Sequence, residues 1–211
     1  MCGIVGIGSA SASVAPEVVA LMRDTLRHRG PDDEGLWRAR DGSVVLGHRR
    51  LSIIDLSPGG HQPMADTSGD YQLVFNGEIY NFQELRDELC RAGHRFRSSS
   101  DTEVLLEAYR AWGTNCLERF NGMFAFALYD HPGRRLFLAR DRAGEKPLYY
   151  RHAEKRLAFA SELKALFADP GCPRVLDPDA LDAYLAFGYV PHDQCIIRGI
   201  RKLPQGHALV Y

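Results

Sequence analysis

The chain has 211 residues, of which 45% are hydrophobic and 25% are charged, and its net charge is −1. This size and balance are typical of a water-soluble globular chain with one large domain or two small ones. Lys and Arg are scattered along the sequence, which argues against a nucleic-acid surface or a polybasic membrane patch.

The first half of the chain predicts strands, a loop and three helices. "CGIVGIG" predicts a strand, and "APEVVALMRDTLRHRG" predicts a helix that Gly30 and Pro31 terminate. "GLWRA" and "SVVLGHRRLSII" predict strands, and "DLSPGGHQPM" predicts a loop. "YQLVFNGEIY" has the pattern of two strands joined by an Asn-Gly turn. "NFQELRDELCRAG" and "SDTEVLLEAYRAWG" predict helices, the second opened by a capping box of Ser100 and Glu103.

The second half predicts four closely spaced strands, two helices and a final strand. The strands are "GMFAFALYD", "RLFLAR", "PLYY" and "RLAFAS", the helices "ELKALFA" and "PDALDAYLAFG", and the last strand "GHALVY". "MFAFALY" is apolar without alternation, so both of its faces should be covered. Because regular β-α alternation is missing, we expect stacked, mostly antiparallel sheets with helices on the outside.

Hydropathy and cysteine content predict a cytoplasmic protein. No apolar run approaches the ~18 residues of a membrane span, and the N-terminus lacks the pattern of a signal peptide. The five cysteines are irregularly spaced and form no CxxC pair, which fits a reducing compartment. We therefore expect neither a disulfide framework nor a zinc site.

Cys2 is the first candidate for chemistry. A cysteine in an apolar strand is often only a small hydrophobic residue, but this one follows Met1. Removal of Met1 would place an α-amine, of pKa about 7.7–8.0, beside a thiol of pKa about 8.5. One residue would then supply both a nucleophile and the base that activates it.

Asn76 and Gly77 in "FNGEIYN" allow two interpretations. The first is a plain hairpin turn. In the second, the glycine backbone N–H and the asparagine side-chain amide converge as the two donors of an oxyanion hole. Glu78 follows directly and places a carboxylate beside that centre.

Two arginines and an aspartate are candidates for binding charged groups of a ligand. Arg49 and Arg50 end a predicted strand, either as an edge charge or as a guanidinium fork for a carboxylate. Asp101 opens a predicted helix, where it would interact with the helix dipole or hold an ammonium group.

The segment "RHRGPDDEG" carries His28 and three acidic residues, Asp32, Asp33 and Glu34. These residues are too close in sequence to converge on an ion in the manner of a metal site. A metal site here is therefore only a weak hypothesis.

The order and spacing of seven motifs are more specific than any one of them. "MCGIVGI", "RHRGPDDEG", "HRRLSIIDLS", "NGEIYN", "SDTEVLLEAY", "GMFAFALYD" and "DRAGEKPLYY" together resemble the glutamine amidotransferase domain of glutamine-hydrolysing asparagine synthetases. These are class II amidotransferases of the N-terminal-nucleophile hydrolase fold. The resemblance covers residues 1–211 and implies one α+β domain, a four-layer αββα sandwich of mostly antiparallel sheets.

The resemblance also implies a role for each site residue. Cys2 would attack the side-chain amide of L-glutamine, and Asn76 and Gly77 would form the oxyanion hole. The substrate α-carboxylate would be held by Arg50, which directly precedes the leucine, rather than by Arg49. Glu78 and Asp101 would hold the α-ammonium. The bound glutamine would lie along the backbone of Leu51, Ser52, Ile53 and Ile54.

The same resemblance sets expectations for cofactors and partners. The glutaminase half-reaction would need no metal or cofactor. ATP and Mg²⁺ would be bound by a C-terminal synthetase domain, in cis or in trans, that amidates aspartate with the released ammonia. No SGGxDS-type loop occurs in the 211 residues. A homodimer is compatible with this family.

Departures from the family pattern and alternative functions stay open at this point. Ala143 replaces a larger apolar residue, and Glu145 stands where an apolar or basic residue is usual, which affects local packing more than chemistry. An amidotransferase serving a sugar phosphate or a phosphoribosyl acceptor is one alternative. A non-catalytic regulatory domain on the same fold is the other.

Overall fold

The computed structural model describes residues 1–191 and 193–211, which form eleven strands and five α-helices. The first half contains β1 (Gly3–Ser9), α1 (Pro16–Asp24), β2 (Asp33–Arg38), β3 (Val44–Arg50), β4 (Met64–Ala65), β5 (Tyr71–Ile79), α2 (Phe82–Arg91) and α3 (Asp101–Trp112). The second half contains β6 (Gly122–Asp130), β7 (Arg135–Arg140), β8 (Tyr149–Ala153), β9 (Arg156–Ala160), α4 (Leu163–Leu166), α5 (Pro178–Phe187), β10 (Arg201–Lys202) and β11 (Ala208–Val210).

The strands form two antiparallel sheets. One sheet has the spatial order β10-β8-β9-β1-β3-β2, and the other has the order β11-β7-β6-β5-β4. The central pairs are β1 with β3 in the first sheet and β5 with β6 in the second. Every strand pair within the sheets is antiparallel, as the sequence predicts.

Three hydrophobic clusters mark the boundaries between four layers. The first lies between α1 with α4 and the β1–β3 sheet, and includes Val5 and Met22. The second lies between the two sheets and includes Ile4 and Val74. The third lies between the β5–β6 sheet and α2 with α3, and includes Phe75. The predicted αββα sandwich is therefore confirmed.

Strand periodicity decides which residues reach the space between the sheets. Ile4 belongs to the inter-sheet cluster, whereas its neighbour Val5 packs towards α1. On β5, Val74 faces the other sheet and Phe75 faces the helices. Since successive side chains of a strand point to opposite faces, even-numbered positions of β1, β3 and β5 meet in the inter-sheet space.

The hairpin interpretation of "YQLVFNGEIY" is wrong. Tyr71–Ile79 is one continuous strand, and each of its residues has a partner on β6. Gly77 lies opposite Phe124 in that register. The long-range pairing with β6 outweighs the local turn preference of Asn-Gly, because β-structure depends strongly on its neighbours.

Two boundaries also differ from the sequence expectation, and one predicted cap is formed. β3 ends at Arg50, and residues 51–54 form a loop rather than more strand. α1 ends at Asp24, where Thr25 Oγ1 donates to the Met22 carbonyl and the following backbone bonds tighten to i→i−3. Ser100 does cap α3 by accepting from Thr102 N–H.

The reciprocal half of the capping box is not formed. The Glu103 carboxylate accepts instead from the N–H groups of Arg97 and Ser98 and thereby ties down the segment before α3.

None of the helices in the described residues is long and apolar enough to cross a membrane. The most exposed apolar helix is α5, on which Leu185 and Phe187 are 73% and 65% exposed.

Candidate active site

A cavity of about 160 Å³ opens where the C-terminal ends of β3 and β5 meet the N-terminal end of β1. Its lining contains every residue that the sequence analysis placed in the site except Ser52: Cys2, Arg50, Leu51, Ile53, Ile54, Asn76, Gly77, Glu78 and Asp101. The three strands bring these residues together because their inward positions share one end of the inter-sheet space.

Cys2 lies at the start of β1 with its sulfur against the first residue after β3. Leu51 N–H donates to Cys2 Sγ at 3.4 Å, and the thiol lies 3.7 Å from the Leu51 carbonyl oxygen. Burial raises the pKa of the Cys2 thiol, and the Leu51 hydrogen bond only partly offsets that effect. The sulfur is therefore protonated at neutral pH, and an attack on substrate needs a base.

An arginine and a glutamate hold the backbone of Cys2. Arg29 Nε donates to the Cys2 carbonyl at 2.8 Å, and Arg29 Nη1 donates to Glu162 Oε1 at 2.8 Å. Burial opposes the charge of Glu162, but hydrogen bonds from Arg29 and His28 outweigh it and lower its pKa to about 2. The Glu162 carboxylate is therefore ionised at neutral pH, and its salt bridge with Arg29 connects Cys2 to the loop after β9.

The Gly77 N–H faces the cavity because of the β-sheet register. Phe124 lies opposite Gly77 on β6, and both of its backbone groups form hydrogen bonds with Asp141. Phe124 N–H donates to Asp141 Oδ2 at 3.1 Å, and the Phe124 carbonyl accepts from Asp141 N–H at 2.8 Å. Residues opposite each other in an antiparallel pair share this orientation. Gly77 N–H therefore points away from β6, towards the β4 side of the sheet. β4 pairs with β5 only as far as Met64, which lies opposite Leu73, so β4 does not reach Gly77.

The N–H groups on either side of Gly77 along that edge are occupied. Phe75 N–H donates to Gln62 Oε1 at 2.7 Å, and Ile79 N–H donates to Asp101 Oδ2 at 3.0 Å. Gly77 N–H itself takes no part in the β5–β6 ladder, because Phe124 opposite it bonds to Asp141. This donor is thus directed at the cavity between two satisfied neighbours.

Asn76 supplies a second unpaired donor. The side chain is 1% exposed, and its Nδ2 has no hydrogen-bond partner among the described residues. An unpaired buried amide costs free energy, so a polar group of a ligand is its natural partner. Two adjacent donors, Asn76 Nδ2 and Gly77 N–H, can together stabilise a developing negative charge on oxygen.

Only glycine fits at position 77. A Cβ atom there would lie 2.4 Å from the Met123 carbonyl oxygen and 2.7 Å from Phe124 Cα, both of which are backbone atoms. The glycine is required by the close approach of β6 and not by a turn.

Arg50 and Arg49 have different partners, as strand alternation requires. Arg50 lines the cavity and donates from Nη1 to the Ser57 carbonyl at 3.0 Å and from Nη2 to the Asp55 carbonyl. Its remaining guanidinium N–H groups are free for a carboxylate. Arg49 instead forms ion pairs with Asp24 and Glu34 on the α1 side.

The loop after β3 forms one rim of the cavity. Leu51, Ile53 and Ile54 line it, and Ile53 is 67% exposed. Ser52 is not in the lining, and its N–H donates to Asp32 Oδ2 at 2.8 Å. Asp32 therefore serves to fix this loop.

Two carboxyl groups line the same cavity as the Arg50 guanidinium. Glu78 is half-buried on β5, and Asp101 is buried at the first turn of α3. Burial raises the pKa of Asp101 to about 6, with the neighbouring charge of Glu78 acting in the same direction. One cation and two carboxylic groups around one small cavity suit a zwitterionic ligand.

Comparison with known proteins identifies the family. The sequence profile described as "Glutamine amidotransferase domain" matches residues 1–211. The chain belongs to this glutamine amidotransferase domain family.

Curated relatives are asparagine synthetases. The chain is 41% identical to asparagine synthetase [glutamine-hydrolyzing] 3 of Bacillus subtilis, with all of this chain and 35% of the relative aligned. It is 39% identical to asparagine synthetase [glutamine-hydrolyzing] 1 of the same organism, over 98% of this chain and 33% of the relative. This amidotransferase domain thus spans about a third of the length of these relatives.

Solved structures share the fold at low identity. The glutamine phosphoribosylpyrophosphate amidotransferase of B. subtilis, complexed with ADP and GMP, gives a TM-score of 0.67 at 24% identity over 79% of this chain and 43% of that chain. A structure described as the allosteric regulatory enzyme of purine biosynthesis gives a TM-score of 0.75 at 21% identity, over 99% of this chain and 46% of that chain. These likenesses concern the fold alone.

The amidotransferase site also contains residues that the sequence analysis did not select. Gln62 Nε2 donates a hydrogen bond to Thr102 Oγ1 at 3.3 Å, and both residues line the cavity together with Met123 and Lys146. Local sequence carries no signal for Gln62, which sits in a loop. Lys146 lies in "DRAGEKPLYY", a motif that the resemblance used, so its position could have been suspected.

The charged residues of the segment "RHRGPDDEG" form separate pairs and not one cluster. His28 contacts Glu162 at 3.0 Å, Asp33 contacts His61 at 2.7 Å, and Glu34 binds Arg49. Across residues 1–191 and 193–211, no group of three or more His, Cys, Asp or Glu side chains is arranged to hold a metal ion.

A larger cavity, of about 650 Å³, lies elsewhere in the domain. It is bounded by α5, β8 and the segment before β10, with Tyr150, Asp177 and Arg201 in its wall. None of the predicted site residues lines it, so its size does not make it the better candidate.

Proposed function

We propose that this domain hydrolyses L-glutamine to glutamate and ammonia, with Cys2 as the nucleophile. The observation that carries the proposal is the position of Cys2 in one small cavity with the unpaired amide Asn76 Nδ2 and with Gly77, whose N–H points away from β6. A nucleophile beside a preformed oxyanion hole is the arrangement that acyl transfer requires.

The zwitterionic ends of glutamine fix its orientation. Arg50 would bind the α-carboxylate, and Glu78 and Asp101 would bind the α-ammonium, with the backbone of Leu51–Ile54 alongside. The side-chain amide would then extend towards Cys2, and its oxygen would meet the Asn76 and Gly77 donors. Held in this way, the amide carbon lies within reach of the sulfur.

The first half of the proposed reaction forms a thioester. After Met1 is removed, the Cys2 α-amine takes the thiol proton and the sulfur attacks the amide carbon. The carbonyl π electrons move to oxygen, where the two donors stabilise the negative charge. When the electron pair on oxygen re-forms the carbonyl, the carbon–nitrogen bond breaks. The amine gives its proton to the leaving nitrogen, and ammonia departs.

The second half releases glutamate. A water molecule loses a proton to the Cys2 amine and attacks the thioester carbon. The carbon–sulfur bond then breaks, and the sulfur recovers the proton from the amine. The steps use only groups of this chain and water, so we propose that this half-reaction needs no metal or cofactor.

We further propose that the ammonia amidates aspartate in an ATP-dependent synthetase domain, in cis or in trans. Support comes from the asparagine synthetases that are about 40% identical to this chain and about three times as long. The ATP and Mg²⁺ sites would lie in that domain. A homodimer and a cytoplasmic location remain predictions of the sequence.

The test is turnover of glutamine by protein whose mature N-terminus has been established by mass spectrometry. We expect glutamate and ammonia in equal amounts, and stoichiometric alkylation of Cys2 by a diazoketone analogue of glutamine. Cys2→Ala should abolish turnover, whereas Cys90→Ala, at an exposed position on α2, should not. Persistent turnover in Cys2→Ala, or a mature protein that retains Met1 and is inactive, would overturn the proposal.

A further inference from the structure

Lys146 is a buried cation in the wall of the candidate active site. It is 7% exposed and lines the same cavity as Met1 and Cys2. Among the described residues, its Nζ makes no hydrogen bond and has no carboxylate within 4.0 Å. The ammonium group is not among the fully buried polar atoms that lack a partner, so it reaches the open space of the cavity, where it stands unpaired within the described part of the chain.

The backbone around Lys146 is held by a buried carboxylate. Asp141 Oδ1 accepts from Ala143 N–H at 3.1 Å and Glu145 N–H at 2.9 Å, and its Oδ2 accepts from Lys146 N–H at 3.0 Å. Arg140 Nε donates to the Lys146 carbonyl at 2.8 Å. These bonds hold residues 141–146 in a turn around the Asp141 side chain, which also accepts from Phe124 N–H on β6.

Other charged groups face the N-terminal amine from the surrounding elements. Arg29 and Asp32 follow α1, Arg50 ends β3, Glu78 lies on β5, and Asp101 opens α3. The charge of Arg29 is paired with Glu162, and Asp32 attracts a protonated amine. Lys146 is left as a nearby positive charge that no carboxylate neutralises in the described residues.

The charge of Lys146 acts on the amine through space. Burial lowers the pKa of the N-terminal amine, and the positive charges of Arg29 and Lys146 lower it further. Removal of Met1 would create the new α-amine on Cys2, which lines the same cavity as Lys146. A neutral amine can accept the thiol proton, and a protonated one cannot.

We propose that Lys146 is a positioning residue which acts through the Cys2 α-amine, keeping that amine in its neutral, proton-accepting form. The inference rests on the proposed function and identifies a residue that tunes its base. Lys146 itself donates no proton in the reaction and forms no bond to substrate.

The decisive variants are Lys146→Met, which keeps the length of the stem without the charge, and Lys146→Arg, which keeps the charge. We expect kcat/KM for glutamine hydrolysis by Lys146→Met to fall about three- to tenfold at pH 6.5 and to change less than about twofold at pH 9. The acid limb of its pH profile should move to higher pH. Lys146→Arg should restore the wild-type profile.

A second measurement does not depend on turnover. In trimmed protein labelled with ¹³C-cysteine, the Cys2 Cα resonance reports the coupled titration of the amine and thiol. We expect the lower of the two apparent pKa values to rise by about half a unit or more in Lys146→Met and to stay unchanged in Lys146→Arg. If wild-type protein fails to hydrolyse glutamine, the proposed function fails, but this titration still tests Lys146.

The proposal for Lys146 is overturned by either of two results. One is an unchanged Cys2 titration in Lys146→Met protein whose thermal unfolding matches that of the wild type. The other is a loss of kcat/KM that is equal at all pH values, or that Lys146→Arg does not repair, because either result would indicate a packing role.

Discussion

Arg49 and Arg50 are neighbours on β3, and their side chains leave the sheet on opposite faces. Arg49 binds Asp24 at 2.8 Å on the α1 side, whereas Arg50 lines the cavity with Cys2. The sequence could not separate the two by residue type, and strand alternation separates them by geometry.

This division predicts different results for the same substitution at the two positions. Arg50→Gln should raise KM for glutamine about 10- to 100-fold, because a charge-assisted bond to the α-carboxylate is lost. Arg49→Gln should leave KM unchanged and cost about 1 kcal/mol of stability or less, since its partners are half exposed. Steady-state kinetics and urea unfolding of both variants provide the measurement. Equal effects on KM would contradict the assignment.

The layered fold could be predicted from the sequence, but the role of β5 could not. "MFAFALY" lacks alternation because β6 is covered on both faces, and this signal is local to the segment. Asn76-Gly77 carries a turn signal that is equally local, yet the strand continues through it. Only the approach of Met123 and Phe124, about 46 residues away in sequence, explains why glycine stands there.

The candidate site, like the fold, could be predicted from the sequence only in part. Cys2, Arg50 and Asp101 are polar residues at strand or helix boundaries, and Asn76 lies inside β5, where the motif "NGEIYN" marks it. Gln62, Met123 and Lys146 enter the cavity because distant loops and strands pack there. No periodicity or spacing in the sequence predicts that these three residues meet in one cavity.

Asn76→Ala tests the proposed oxyanion hole. We expect kcat for glutamine hydrolysis to fall about 100- to 1000-fold, because one of two donors to the oxyanion is lost, with KM changed less than about threefold. Asn81→Ala makes the same chemical change where the side chain bonds to Arg119 and Asn121, outside the cavity lining. Comparable losses of kcat in the two variants would argue against the donor role of Asn76.

Gly77→Ala should be a folding defect rather than a purely kinetic one. The added methyl would meet the Met123 carbonyl at 2.4 Å, and relief requires β5 and β6 to separate. We expect a loss of about 1–3 kcal/mol in the free energy of unfolding. Gly171→Ala is the control, because its nearest neighbour lies 3.5 Å away. Urea unfolding that shows wild-type stability for Gly77→Ala would contradict the described register.

Two buried groups should give stability opposite dependences on pH. Burial lowers the pKa of His48, whose Nε2 donates to the Phe75 carbonyl at 3.0 Å, to about 4. The unfolded chain therefore takes up that proton first, and stability is lost as pH falls from about 6.5 to about 4. Burial raises the pKa of Asp101 to about 6, so its protonation favours the folded state as pH falls through 6.

The variants His48→Gln and Asp101→Asn retain the hydrogen-bonding capacity without titrating. Between pH 7 and 4.5, His48→Gln should lose about 2 kcal/mol less stability than the wild type, and Asp101→Asn about 2 kcal/mol more. Urea unfolding at the two pH values measures both differences. Differences from the wild type that have the same sign in both variants would refute the opposing titrations.

The register of β5 has a consequence for how the domain moves. Asn76 and Gly77 belong to a strand that is paired along its length with β6 and packed on both faces, so displacing them requires the cooperative opening of the whole domain. The loop of residues 51–54 lies outside the strand ladder and is held by single hydrogen bonds, from Leu51 N–H to Cys2 and from Ser52 N–H to Asp32, so it can open locally. The rigid wall that meets the amide and the adaptable rim that covers the rest of the substrate thus belong to different dynamic units.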